Sequence, residues 1–528
     1  MPSACATDWV ARSIATMTES REPEPVAATA PVAGVADADH RLHPMSWLFV
    51  LLAQLRQFIL PLLALLVFGR GSSNGYGGNG LWPLIGVAGL ALLSLWQYFT
   101  YRYGMAGDAL VVRSGVLERS VRVIPFARIH NVALKQTLLH RLFGVAEVRL
   151  ESAGGKKPEA EMRVLKLGDA LALERLVRQR GRAPDAGVTS AAADHAAVLL
   201  QMPLGEVLRL GLVSNRGLIL VAAALGGVSQ FNAELLPDLF ERWGDMLFGW
   251  AGEHQFGVVE FALAAVTLAL LVELLLGLLS IALALLQFHG FRLSEHGRRL
   301  TVERGLLARW RTSASRRRIQ AWTLREGMRH RWLGRQSLEV DTAVSEDHNR
   351  HRALREVAPI ATPAQCIGLI DHLLPHAQWT TLDWHRLPAG SWWRLWLPSW
   401  PWVLAATTVL TWNGGNWGLL VLAWLPWSAY KARRRTARAA WALGDEVVAV
   451  REGWLRRHWR FAEIDKLQAL QLSRNPIDRR CGTATVWLDT AGAGAMAPPL
   501  RVRLLPLADA QALYVALSRE LARRPLRW

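Results

Sequence analysis

Apolar residues gather in pairs of long runs along this chain, and each pair is followed by text that alternates between apolar and polar positions. Trp47 to Phe68 and Leu81 to Phe99 flank the turn-rich stretch Gly69 to Gly75. Gly211 to Val228 and Phe256 to Phe288 flank an acidic connection, and Leu395 to Trp412 and Trp417 to Tyr430 flank Asn413 to Asn416. Runs near the ~20 residues that carry an α-helix across a bilayer predict six transmembrane helices in three hairpins, the last run being the shortest. The alternating text predicts strands: Ala109 to Leu117 reads as two short runs around a Ser-Gly turn, and Val145 to Glu151, Ser337 to Thr342 and Thr483 to Thr490 read as later strands. Helical patterns opened by a capping residue follow, at Asp169 to Arg180, Thr362 to Leu374 and Asp509 to Leu521.

The alternating segments are copies of one another. Gly115 and Gly144, Gly305 and Gly334, and Gly453 and Gly482 are each separated by 29 residues. In register with the first glycine stand the bases Arg128, Arg318 and Lys466, the bases Arg141, Arg331 and Arg479, and the acids Glu151, Asp341 and Asp489. This is an internal triplication. Several antiparallel strands followed by one amphipathic helix predict a small barrel plugged by its last helix. The expected order is a disordered tail (residues 1–44), hairpin (45–100), module (101–183), linker (184–207), hairpin (208–289), module (290–377), linker (378–391), hairpin (392–431) and module (432–528).

Composition supports a membrane setting: of 528 residues, 51% are apolar, which is high for a soluble protein. Cys5, Cys366 and Cys481 lie far apart and support neither a disulfide framework nor a zinc site. The net charge of +18 could suggest nucleic acid, but its distribution follows topology. The connection inside the second hairpin carries Glu234, Asp238, Glu241, Asp245 and Glu253 against Arg242 alone, whereas the segments after the hairpins are rich in arginine, as in Lys431 to Arg435. The positive-inside rule therefore places the modules and both termini in the cytoplasm, and no nucleic-acid partner is needed to explain the charge.

The run Leu110 to Leu117, then Val123 to Ile129, then Gln136, Leu139, Arg141, Leu142, Phe143 and Gly144, resembles the membrane-flanked bacterial pleckstrin-homology-like domain, as carried in several copies by YdbT-like multi-pass proteins. The second copy departs with Ser315 in place of Pro125, and the third with Leu467 at the isoleucine position and Cys481 before its second glycine. The resemblance implies three α+β pleckstrin-homology-like modules, each closed by a C-terminal helix, in a non-enzymatic inner-membrane protein. It also implies a role in envelope stress or antimicrobial resistance.

Candidate sites follow from charge. Arg128, Arg318, Lys466, Arg141, Arg331 and Arg479 either form a basic face for anionic lipid headgroups or stabilise the fold, for instance by pairing with the repeated acids. Denser clusters stand at Arg316 to Arg318, Arg329 to Arg331 and Arg456 to His458. Arg56 and Glu273 fall midway along their runs and suggest an ion pair between hairpins; Arg216 and Glu260 lie nearer span ends. Leu235, Leu236, Leu239, Phe240, Trp243, Leu247 and Phe248 recur at helical spacing in the acidic connection, as an interfacial helix or a cap over the bundle. Trp392, Trp393, Trp400, Trp402, Trp412, Trp417, Trp424 and Trp427 fit an aromatic belt. No dinucleotide loop, nucleophile or carboxylate pair stands in an activating context, and His348 and His351 lack a third metal ligand, so neither cofactor nor metal is expected. The expected work is binding or scaffolding at the bilayer, with anionic lipid, a membrane-protein partner or a homo-oligomer as partners. The alternative is a transporter or membrane enzyme built on a six-helix bundle with regulatory modules.

Overall fold

The computed structural model describes residues 40–41, 43–55, 82–106, 109–115, 119–126, 129–152, 160–180, 197–231, 234–253, 257–342, 354–491 and 497–523. Among these, each repeat contributes seven strands. The first has β1 (His40–Arg41), β2 (Arg102–Ala106), β3 (Ala109–Ser114), β4 (Ser120–Pro125), β5 (Ile129–Gln136), β6 (Val145–Ser152) and β7 (Ala160–Lys166). The second has β8 (Ala197–Gln201), β9 (Arg292–His296), β10 (Arg299–Arg304), β11 (Arg309–Ser315), β12 (Ile319–Glu326), β13 (Gln336–Thr342) and β14 (Glu356–Ala361). The third has β15 (His385–Arg386), β16 (Ala440–Leu443), β17 (Val447–Glu452), β18 (Arg457–Glu463), β19 (Leu467–Ser473), β20 (Thr483–Thr490) and β21 (Arg501–Pro506).

Within a repeat the first four strands form one antiparallel sheet and the last three another. The closed barrel expected from the strand pattern is not formed. The fourth strand of a repeat turns into the fifth through a short break, as at Arg316–Arg318, and the two strands do not pair, so the two sheets of a repeat remain separate. Each first strand precedes its apolar helices in sequence yet pairs with the strand that follows them, as β8 does with β9. The helices are thus an insertion into the first sheet of a module, and the segments between modules supply its edge strand.

Both repeat glycines have a conformational reason. Gly144, Gly334 and Gly482 have φ of 63°, 61° and 63°, and Gly115, Gly305 and Gly453 have φ of 124°, 111° and 91°, all in the region L side chains avoid. A Cβ on Gly305 would meet the Ala308 carbonyl oxygen at 2.0 Å, and one on Gly453 the Arg456 oxygen at 1.9 Å. The turn between the third and fourth strands is closed over its own glycine. The helix that ends each module, Leu167–Arg180, Pro363–Leu373 or Leu507–Arg523, lays Leu173, Ile370 or Leu513 into the core. Thr362 and Gln365 form a reciprocal capping box at the second of these.

The six-span expectation is overturned. Among the described residues one helix is long and apolar enough to cross a membrane, Val259–Phe288, or two if the bent pair Leu204–Val213 and Arg216–Gln230 counts as one span. That pair breaks by 52°, so the third apolar run is not one straight helix. Its first half buries Val207 and Leu210 in the core of the second module. In the third pair, Trp400–Gly414 and Trp424–Arg438 are 15 residues each, with a 3-10 segment at Gly415–Ala423 between them. Fifteen α-helical residues rise only about 22 Å, short of the ~30 Å hydrocarbon core. Of the first pair, Ser46–Leu55 and Trp82–Thr100 are described.

Candidate functional interfaces

The sheets do not stop at module boundaries. The second sheet of the first repeat continues into the first sheet of the second, in the order β7-β6-β5-β11-β10-β9-β8. The same happens between the second and third repeats, in the order β14-β13-β12-β18-β17-β16-β15. An edge strand exposes a row of unpaired peptide groups, and here a copy of the same module covers it. The register is identical at both junctions: Gln136 to Val132 face Arg309 to Ser313, and Glu326 to Trp322 face Arg457 to Phe461. Relative to the first glycine of each repeat these are the same positions.

Side chains differ between the junctions. At the first, the Lys135 ammonium lies 4.9 Å from the centre of the Trp310 ring and Arg311 is 3.6 Å from Glu174. At the second, Trp322 stacks on Phe461 with ring centres 6.2 Å apart, and Arg457 pairs with Glu326 at 3.0 Å. Arg460, 2% exposed, forms an ion pair with Asp341 at 2.7 Å and donates to Thr323 Oγ1 at 2.9 Å. Asp341 is the repeated acid, and its partner comes from the neighbouring repeat. His458 lies in the same junction. Burial, and then the cations Arg325, Arg460, Arg503 and Arg435, push its imidazole down to about 4.

A helix of each apolar pair docks on the short helix before the second glycine of its module. Phe49 packs on His140 with ring centres 4.2 Å apart, and Thr137 caps the short helix Leu138–Leu142. Arg329, in the short helix Met328–Trp332, donates to the Leu212 carbonyl at 3.2 Å, and Arg335, just past the second glycine, gives Glu206 two hydrogen bonds at 2.9 and 2.8 Å. Arg394, in Trp392–Trp396, is buried in an ion pair with Asp478 and donates to Thr483 Oγ1 at 2.6 Å. Such bidentate or buried contacts are directional, so they fix the apolar helices to the modules.

The repeated bases are sorted by this arrangement. Arg141 donates to the Leu306 carbonyl at 3.4 Å and Arg331 to the Leu455 carbonyl at 3.5 Å, each reaching the next repeat. Arg479 is exposed in the last repeat. Lys466 is 6% exposed and lies 3.8 Å from Asp465, which leaves it poorly placed for a headgroup. Burial, with Arg299 nearby, pulls the Arg318 guanidinium down to about 10. Arg128, Arg56, His348 and His351 lie outside the described residues. Glu273 pairs with Arg329, which also donates to the Leu212 carbonyl at 3.2 Å, so its partner comes from the second module. Arg216 does not reach toward a membrane surface: its guanidinium sits 4.3 Å from the centre of the Phe288 ring and pairs with Glu356 at 3.4 Å.

The acidic connection folds as one helix, Leu235–Glu253, with Leu239, Phe240, Trp243, Met246 and Trp250 exposed. An exposed apolar face fits the interfacial reading better than a cap, whose apolar side would be covered. Trp392, Trp396 and Trp400 form a ladder with successive ring centres 5.8 and 5.0 Å apart, and Trp396 Nε1 donates to Ser428 at 2.9 Å. Trp402 and Trp412 stand exposed.

Two sheets and a closing helix per repeat, with apolar helices inserted in the first sheet, have a counterpart among known families. The profile of the family described as Bacterial PH domain matches residues 48–181, 247–365 and 395–521, more than half of the chain. The chain belongs to the bacterial PH domain family. It is 27% identical over 118 residues to the UPF0699 transmembrane protein YdbT of Bacillus subtilis (strain 168), a match covering 22% of each chain. The chain thus aligns with less than a quarter of that relative's length. No solved structure matches significantly.

Sequence reasoning did not single out Arg460, Trp322, Glu206, Arg335, Arg394 or Asp478. The first two do not recur as one residue type in the three copies, Arg460 standing where Thr312 and Arg122 stand and Trp322 where Val132 and Leu470 stand, so the repeat did not mark them. The docking residues lack a signal as well, since each hairpin uses a different chemistry.

Proposed function

We propose that this bacterial PH domain protein is a membrane-associated, non-enzymatic scaffold whose three modules act as one body. The observation that carries the reading is the edge-to-edge pairing of successive modules in one register, which joins three small domains without a flexible joint in the sheets. Membrane association is supported by the apolar helix Val259–Phe288, by the exposed apolar face of Leu235–Glu253 and by the transmembrane relative. We place the modules on the cytoplasmic side on the charge pattern. Arg141, Arg331 and Lys466 are engaged within the protein, which favours protein contacts over headgroup binding by the repeated bases. The transporter or membrane-enzyme alternative required a six-helix bundle, and the described residues hold one helix that passes for a span, or two if the bent pair counts as one.

The test is purification of the full chain in native nanodiscs, with mass spectrometry of what accompanies it. A scaffold should retain one or a few proteins at near-stoichiometric level, and an Arg317→Ala, Arg456→Ala, Arg479→Ala triple variant should retain them equally. Loss of a specific anionic lipid in that variant would move recognition to the membrane surface. Proteins and lipids no different from bulk membrane would sink the scaffold reading.

A further inference from the structure

The bent pair of helices in the second module presents an apolar surface at the point where the chain leaves that module. Leu204–Val213 turns Val207 and Leu210 into the core, while Leu204, Leu208 and Leu212, four residues apart, stand exposed along its outer side. The short helix Met328–Trp332 lies against the same helix, held by Arg329 on the Leu212 carbonyl and by Arg335 on Glu206, and it leaves Met328 and Trp332 exposed, the latter by 86%. On the other flank runs Val258–Phe288, with Leu274, Leu275 and Leu278 exposed. Three elements thus add open side chains to one apolar surface, and a contiguous surface of this kind marks an interaction site. Bases border it. Arg209 follows Leu208 around the helix on the side of Glu206, with which it pairs, and Arg329 pairs with Glu273.

The bend itself is built into the packing. Between Leu204–Val213 and the next helix the chain turns by 52°. Ser280 Oγ donates to the Ser214 carbonyl at 2.7 Å and lies 2.9 Å from Ser214 Oγ, so a peptide group freed at the break is satisfied from Val258–Phe288. Gly211 and Gly217, on either side of the break, approach that helix too closely for a Cβ. We propose that Leu204–Val213 and Met328–Trp332 form a platform lying in the headgroup and acyl-chain boundary of a bilayer, and that the bend is where the chain turns from the membrane surface into the membrane. This rests on the membrane-associated reading and adds to it the surface by which the second module meets lipid. A helix with one face in protein and the other apolar and rimmed by arginine suits that boundary: the leucines reach acyl carbons, Arg209 and Arg329 meet phosphate oxygens, and tryptophan favours the same depth. The occupant is lipid rather than another protein because the leucine stripe continues toward Leu274, Leu275 and Leu278, on a helix apolar on every side, and lipid is what surrounds such a helix.

Depth-resolved fluorescence quenching tests this on the full-length protein in nanodiscs. In a Cys5→Ser, Cys481→Ser background, with buried Cys366 left in place, Leu208→Cys, Trp332→Cys, Val266→Cys or Arg519→Cys is labelled with an NBD fluorophore. Leu208 and Trp332 are exposed, so the labels displace little packing. Val266 lies on the exposed apolar helix, and Arg519 lies near the end of a closing helix whose first residue, Leu507, bonds to Gly482, so it stands away from the short helix of its own module. Lipids carrying a nitroxide near the headgroup should quench the labels at Leu208 and Trp332 strongly, and lipids carrying it near the chain end should quench them weakly. The order should reverse at Val266, and the label at Arg519 should lose no emission to either lipid. If Leu208 and Trp332 behave as Arg519 does while Val266 is quenched, the platform is overturned and membrane association stands. Stronger quenching of Leu208 and Trp332 by the deep nitroxide overturns it as well, because both helices would then lie inside the span. No quenching at Val266 would remove the membrane-associated reading and the platform together.

Discussion

Single residues carry the repeat. Gly305 and Gly144 both have positive φ, yet only Gly305 closes on a carbonyl oxygen, 2.0 Å from where a Cβ would sit, whereas nothing lies within 4 Å at Gly144. Gly144→Ala should cost about 1–2 kcal/mol, the price of a left-handed L residue, and Gly305→Ala distinctly more; chemical denaturation of both variants checks the order. Arg460→Ala leaves Asp341 buried and unpaired, which should cost ~3–5 kcal/mol, while the double change Arg460→Met, Asp341→Leu should recover most of that. His458 titrates far below the ~6.5 of an unfolded chain, at about 4. Between these values the unfolded state binds the proton and the folded state does not. The stability this group contributes is therefore fully present above pH ~6.5 and is lost progressively as pH falls toward 4. Melting temperature followed from pH 7 to 4.5 should fall, and His458→Gln should flatten part of that slope. The glycines and the repeated acids were legible in the sequence because they recur at fixed spacing. The partner of Asp341 was not, because Arg460 comes from another repeat, and a single-copy alignment cannot show which copy faces which.

At the scale of elements, the strands, the closing helices and two of the apolar helices, Trp82–Thr100 and Val258–Phe288, were legible, but the number of membrane spans was not. Thr483–Thr490 spans the strand read from alternation, and the helix capped by Thr362 begins where the capping pattern placed it. Period and caps are local signals. An apolar run, by contrast, reports only that a segment avoids water: Leu204–Val213 packs on the second module, whereas Val258–Phe288 leaves most of its length uncovered by protein. Their crossing is set by small residues. A Cβ on Gly217 would meet the Leu276 carbonyl oxygen at 2.4 Å, and one on Gly211 would meet the Ile281 Cα at 2.5 Å, whereas Gly226 has nothing within 4 Å. Gly217→Val should force Arg216–Phe231 away from Val258–Phe288 and lower the melting temperature in nanodiscs; Gly226→Ala should change it little. For Leu235–Glu253 the interfacial reading predicts that spin labels at Phe240 and Trp243 collide with oxygen dissolved in lipid, while labels at Glu241 and Asp245 collide with an aqueous nickel reagent. Equal aqueous access at all four would remove the helix from the interface.

Across the whole molecule, the two junctions have one register but unequal cohesion. The core of the first repeat is made of its own residues, such as Leu110, Phe126, Val148 and Leu173. The core of the second extends across its junction with the third, where Trp322 and Trp379 pack with Phe461, and Ala442, Val447 and Ala449 belong to the same apolar cluster. At the first junction the facing positions include Arg311, Thr312 and Ser313, and the side-chain contacts described across it are polar: a cation over a ring, an ion pair and the Arg141 hydrogen bond to the Leu306 carbonyl. Such contacts contribute less than burial of large apolar side chains, each worth ~1.5–3 kcal/mol. The first module should therefore open before the other two, and those two should open together. Native-state hydrogen exchange in nanodiscs reads this directly: the amides of Leu110–Val112 and Val145–Leu150 should exchange at lower denaturant than those of Leu338–Val340 and Val486–Leu488, which should share one transition. Trp322→Ala should then lower the second and third modules together and spare the first. Separate transitions for the second and third modules, or one transition for all three, would show that the shared core does not couple them as its packing requires.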